Sequence, residues 1–161
     1  QHLGWLDPEV EQHVHWAGVV PSEDRPRYYA SCDVYCSPAP GNESFGIVLL
    51  EAMATGRAVV ASGIDGYRKV MGTGDTEGLL VEPRDVDGIA RAIVRLLEDP
   101  GLRDRMGRAG REKALSYSWP RITDQVEAMY RELLDRYPVP RYGRDGPSRS
   151  RPVFLGSPPG S

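Results

Sequence analysis

The apolar positions of this chain fall into two kinds of segment that alternate along it. Short continuous runs, Asp33-Val-Tyr-Cys-Ser37, Ala58-Val-Val-Ala-Ser62 and Leu79-Leu-Val-Glu82, have the length and β-branched content of strands covered on both faces. The stretches between and after them have helical spacing. Ile47 to Ala54 forms one helix, with Gly56 as its left-handed C-cap, and Tyr67 to Met71 forms a short second one. Asp85 caps a third, whose Ile89, Ile93, Leu96 and Leu97 share a face, and Asp99-Pro100 opens a fourth in the favoured order of cap and then proline. Upstream, His13 to Val20 reads as a further short strand, followed by a helix over Asp24–Ser31 with Ser22 at its N-cap. Strand alternating with helix predicts an α/β, Rossmann-like domain with a parallel sheet and flanking helices, whose ligands lie at the carboxyl ends of the strands.

Ser118-Trp-Pro opens a last helix, on which Ile122, Val126, Met129, Tyr130 and Leu133 make an apolar stripe. Such a stripe is far more often core than groove, and it becomes an exposed patch only if its covering partner is elsewhere. From Pro138 the composition turns to Pro, Gly, Ser and Arg, too poor in apolar surface to order. The expected division is a nucleotide-binding domain over 1–137, partial in extent, and a disordered tail over 138–161.

The chemistry concentrates where the first strand leads through Pro38-Ala-Pro-Gly-Asn42 into Glu43-Ser-Phe-Gly-Ile-Val-Leu-Leu-Glu51. The first amides of a helix lack intrahelical partners, so a loop entering one after a strand makes an anion pocket suited to phosphate. The helix is apolar on nearly every side except at Glu51, which predicts a buried carboxylate in need of hydrogen-bond donors. Ser44 and Glu51 are close to two turns apart, or roughly 10 Å along one helix face. A phosphate would repel Glu43, which points that carboxylate at neighbouring hydroxyls instead. An anion flanked by two sets of hydroxyls describes a sugar nucleotide. The plainer account makes Glu43 a first-turn acid favoured by the helix dipole and Glu51 a surface residue.

The wording E-S-F-G-I-V-L-L-E-A-M-A, followed by Gly56 and Ala58-Val-Val-Ala-Ser62, resembles the signature of the retaining, two-domain glycosyltransferases of family 4, which have the GT-B fold. The resemblance runs from about Trp16 to Leu134. Asp33-Val-Tyr-Cys and Val59-Val-Ala-Ser62 bring it nearest to GDP-mannose-dependent enzymes such as the phosphatidylinositol mannosyltransferases. It implies the C-terminal, donor-binding part of an enzyme that moves a hexose, mannose in those relatives, from a nucleoside-diphosphate sugar to an acceptor sugar or lipid. The amides of Ser44, Phe45 and Gly46 would then meet the diphosphate or sugar. Glu43 would take donor-sugar hydroxyls at the reacting centre, Glu51 the ribose, and Ile47 and Val48 would pack near the nucleotide. Val20 and Ser22, in the loop that lies beside the base in relatives, are candidate base contacts. Relatives that use GDP-mannose often carry an acidic residue there, whereas this chain has Ser22, Glu23 and Asp24 in no clear register. Catalysis in the family is mostly stabilisation of the departing diphosphate, without a cofactor or a required metal.

Charge and cysteine content narrow this picture. Through Asp135 there are 15 Lys/Arg against 22 Asp/Glu, and from Arg136 on 5 Arg against 1 Asp. The acidic body argues against nucleic acid as a partner, and the basic tail is a candidate for peripheral contact with anionic lipid. No run of about 18 apolar residues is present, and Gln-His-Leu-Gly-Trp is not a signal peptide, so the expected location is the cytoplasm or the inner face of a membrane. Cys32 and Cys36 suit a reduced core, and His2, His13 and His15 have no metal-ligand spacing.

In relatives, the Arg and Lys that neutralise the diphosphate lie in an earlier loop of the same domain, and the acceptor side lies in an N-terminal domain. Neither lies within these 161 residues. Loss of even one stabilising donor can raise a barrier by about 3 kcal/mol, so these residues are expected to be a fragment with little or no turnover by itself. Two other classes compete: a non-catalytic nucleotide-sugar-binding module working with a separate partner, and a GT-B-fold epimerase.

Overall fold

The computed structural model describes residues 6–72 and 74–138. The chain divides into two units, Gln1–Trp119 and Pro120–Ser161. In the first, the helices α1 (Pro8–Glu11) and α2 (Arg25–Ser31) precede the strand β1 (Val34–Ser37). The helix α3 (Ile47–Ala54) crosses to β2 (Ala58–Ser62), α4 (Asp65–Met71) crosses to β3 (Gly78–Val81), and α5 (Val86–Glu98) and α6 (Pro100–Ser116) follow. The sheet is parallel in the order β1-β2-β3, with Val34 opposite Ala58 and Val59 opposite Gly78. This is the expected α/β architecture.

The strand alternation explains why the sequence of β2 is apolar throughout. Val59 and Ala61 face one core, with Leu49, Met53, Tyr67, Val70 and Met71, while Ala58 and Val60 face the other, with Leu79, Leu96 and Met106. All five residues of β2 are buried, as a central strand with helices on both faces requires. The predicted caps form: Asp85 accepts from the Gly88 amide at 2.8 Å and Asp99 from the Leu102 amide at 2.8 Å. Gly56, just past the C-cap Thr55 of α3, has φ 76°, and its amide donates to Met53 O at 2.9 Å. There the chain meets α6, because a Cβ on Gly107 would overlap the Gly56 carbonyl.

Two expectations are corrected, and a third is settled between its alternatives. His13 to Val20 is not a strand: the segment has no ladder partner among the described residues, and Trp16 is 59% and Val19 100% exposed. Ser22 does not cap α2; Asp24 holds the N-cap position without a side-chain capping bond to a helix amide, and Ser22 Oγ accepts from Arg25 Nη2 instead, at 3.3 Å. On the last helix, α7 (Trp119–Arg136), no residue is buried, which is the exposed-patch alternative for its apolar stripe. Met129, Tyr130 and Leu133 are each exposed by two fifths or more. A helix with one apolar face open to water associates. The chain is therefore expected to self-associate at micromolar concentration, and Met129→Glu with Leu133→Glu to restore a monomer. Light scattering that shows monomeric wild type across that range would refute this. The basic-tail expectation falls on 139–161, outside the described residues.

Candidate functional site

The loop from β1 to α3 is set by backbone geometry before any side chain acts. Asn42 has φ 63° and Gly46 has φ 94°, so the chain turns twice through left-handed conformations before the helix begins. Gly46 is also tightly covered, for a Cβ there would stand 2.7 Å from Tyr67 Cδ1. Tyr67 is 2% exposed, and its hydroxyl pairs with Ser37 Oγ at 2.7 Å. Phe45 stacks edge-on against Tyr117, with ring centroids 5.7 Å apart. The loop is therefore held from β1, α4 and the end of α6.

Because α3 starts only at Ile47, the two-turn spacing drawn from Ser44 to Glu51 does not describe this site. Ser44 lies in the loop, exposed, and Glu51 alone rides on the helix. No side chain caps α3. Nor is α3 buried all round: Leu49, Ala52 and Met53 are buried, Val48 is half-buried, and Ile47 is 63% exposed. The Glu43 carboxylate accepts from the Phe45 amide at 3.4 Å, a long bond at the edge of the accepted range. One of the amides expected to meet an anion thus faces Glu43 in this structure.

Glu51 is a half-buried carboxylate with its donors in place. The Tyr29 hydroxyl donates to Oε2 at 2.9 Å, and Arg25 Nη1 lies 3.5 Å from Oε1. Burial, and then the hydrogen bond to Glu51, raise the Tyr29 pKa well above its ordinary value, so the hydroxyl stays a proton donor throughout the physiological range. Glu51 lines a cleft of about 250 Å³ together with Ser22, Arg25, Pro26, Tyr29 and Thr55. Of the sequence candidates, the structure brings Ser22 and Glu51 together there. Val20, half-buried, and the loop residues Glu43 to Gly46 do not line that cleft.

Arg25 and Tyr29 escaped the sequence reading. Their one signal was the i, i+4 spacing on α2, which sets a guanidinium and a phenol on one helix face. Among the described residues, no three His, Cys, Asp or Glu side chains gather into a metal site. Cys32 and Cys36 are both free, and burial raises both thiols. No described helix is long and apolar enough to cross a membrane.

The profile of the family described as glycosyl transferases group 1 matches residues 6–113. A phosphatidyl-myo-inositol mannosyltransferase of Mycolicibacterium smegmatis is 42% identical over 76% of this chain and 31% of its own length. Among solved structures, the sucrose-phosphate synthase of Thermosynechococcus elongatus superposes with a TM-score of 0.70 at 32% identity, over 80% of this chain and 32% of that one. The Anabaena protein HepE, in complex with UDP-glucose, superposes with a TM-score of 0.60 at 25% identity, over 68% of this chain and 30% of that one. The chain spans about a third of the length of the curated relatives it matches. With the family profile over two thirds of its residues and a parallel sheet of GT-B type beneath the Glu43–Glu51 stretch, the chain belongs to the group 1 glycosyltransferases.

Proposed function

We propose that this chain is the donor-binding part of a retaining glycosyltransferase that moves a hexose, with mannose as the candidate sugar, from a nucleoside-diphosphate sugar to an acceptor sugar or lipid in the cytoplasm or at the inner face of a membrane. The observation that carries this reading is the Glu51 carboxylate, held by Tyr29 and Arg25 at the wall of an open cleft beside α3. Two carboxylate oxygens offer about four acceptor positions, and these two neighbours occupy two. The remaining two suit the vicinal hydroxyls of a ribose. Glu43, at the other end of the stretch, takes donor-sugar hydroxyls, and the loop amides with the uncapped start of α3 take the diphosphate. The name of the Mycolicibacterium relative and the UDP-glucose bound to HepE both favour a nucleotide-sugar substrate. Neither a cofactor nor a metal is required by this scheme.

Acceptor chemistry and the cations that neutralise the diphosphate are assigned to sequence outside these residues, as in the resemblance above. Binding by the chain alone is accordingly weak, in the millimolar range of about 4 kcal/mol. A 1H–15N chemical-shift titration with GDP-mannose and with UDP-glucose is expected to move the amides of Ser44 to Val48 together with those around Glu51. Perturbation confined to neither stretch with either sugar nucleotide would sink the reading. No turnover is expected when a lipid or sugar acceptor is added, and measurable transfer by these residues alone would overturn the assignment of the acceptor side elsewhere.

A further inference from the structure

Tyr29 lies outside the Glu43–Glu51 stretch, and three observations tie it to the chemistry of that stretch. Its hydroxyl donates to Glu51 Oε2 at 2.9 Å. Its ring is fixed edge-on against Tyr35 of β1, with centroids 5.3 Å apart and planes at 76°. Its sequence position, on α2 and 22 residues before Glu51, means that the contact is made by the fold and not by local chain geometry. A carboxylate on a flexible two-carbon stem loses rotamer freedom whenever it must meet two hydroxyls at once. A fixed phenol that takes one lone pair of Oε2 removes that freedom before the ligand arrives. Arg25 Nη1, at 3.5 Å from Oε1 and on a half-exposed side chain, is a looser partner and does not define the carboxylate plane in the same way.

We infer that Tyr29 is a positioning residue: it orients the Glu51 carboxylate so that the lone pairs left free face the 2′- and 3′-hydroxyls of the nucleotide ribose. The inference rests on the reading of Glu51 as the ribose carboxylate. Tyr29 touches neither the base nor the phosphates in this assignment, so its effect is confined to the diol.

The test compares GDP and UDP with their 2′,3′-dideoxy counterparts on the full chain and on Tyr29→Phe, by 1H–15N titration. Wild type is expected to bind the ribonucleotides about tenfold or more tightly than the dideoxy forms, as the loss of a charged hydrogen bond implies. In Tyr29→Phe this discrimination is expected to fall to about threefold or less, with dideoxy affinity within about twofold of wild type. Undiminished discrimination in the variant would overturn the positioning role and leave the ribose reading standing. Equal losses for ribo and dideoxy ligands would make Tyr29 a packing residue and overturn it as well. Absence of discrimination in wild type would overturn the ribose reading and the role of Tyr29 with it, and absence of binding by any of the four nucleotides would overturn the donor-site assignment as a whole.

Discussion

Glu51→Ala is expected to weaken the free nucleoside diphosphate and its sugar conjugate by the same factor, about ten- to a hundredfold, because both carry the ribose and each lost charged hydrogen bond is worth about 1.5–3 kcal/mol. Glu43→Ala is expected to separate the two ligands. It weakens the conjugate by a similar factor while leaving the free diphosphate unchanged or slightly tighter. The structure gives a reason for the second half of that pattern: Glu43 accepts from the Phe45 amide, so its removal frees an anion-binding donor and takes away a repelling charge. Titration of both variants with GDP and GDP-mannose reads the pattern directly. Equal losses for both ligands in both variants would sink the two-ended assignment and leave Glu43 a loop carboxylate bonded to the Phe45 amide and Glu51 a structural partner of Tyr29 and Arg25.

The parts of this site that were legible in the sequence are those fixed by short-range chain geometry. Asp85 and Asp99 announce their helices because a cap acts within three residues, and β2 announces itself because burial on both faces leaves no polar position to interrupt the run. What was not legible depends on where the chain returns in space. Counting turns from Ser44 failed because Gly46, at φ 94°, delays the helix to Ile47, and a backbone angle leaves no periodic trace. The helical period on α7 shows that a stripe exists, not that anything covers it. Tyr29 met Glu51, and Tyr67 met Gly46, only through packing of α2 and α4 on β1 and α3. Ser22, a candidate base contact by its place in the loop before α2, lines the cleft with Glu51, but its separate reading as the cap of α2 does not hold, since its hydroxyl accepts from Arg25.

Gly107→Ala is expected to lower stability by a net of about 2 kcal/mol, and the sign of the effect is the informative part. In the interior of a helix, alanine is favoured over glycine by about 1 kcal/mol, so without a tertiary contact this substitution would stabilise α6. Gly107 is buried, however, and its Cβ would run into the Gly56 carbonyl, backbone against backbone, where no side chain can rotate away. Overpacking of this kind costs about 3 kcal/mol, which outweighs the propensity gain. For a chain of this size the difference corresponds to a fall in Tm of roughly 4–8 °C in calorimetry. A rise in Tm would show that α6 and the end of α3 are not in contact. Since the same turn ends α3 four residues after Glu51, the variant is also expected to weaken nucleotide binding beyond what unfolding accounts for.

The crossover from β1 to β2 has a kinetic meaning. Val34 pairs with Ala58, so the first two strands cannot join until everything between them has folded back, and the entropy of closing that segment must be met before any ladder bond repays it. That segment is the binding loop and α3. β2 and β3 can pair through the α4 crossover without this segment, so it is the joining of β1 to β2, and not the start of the sheet, that brings together the two ends of the stretch holding Glu43 and Glu51. Insertions into residues 38–46 are accordingly expected to slow the joining of β1 to β2 by an amount that grows only with the logarithm of the loop length.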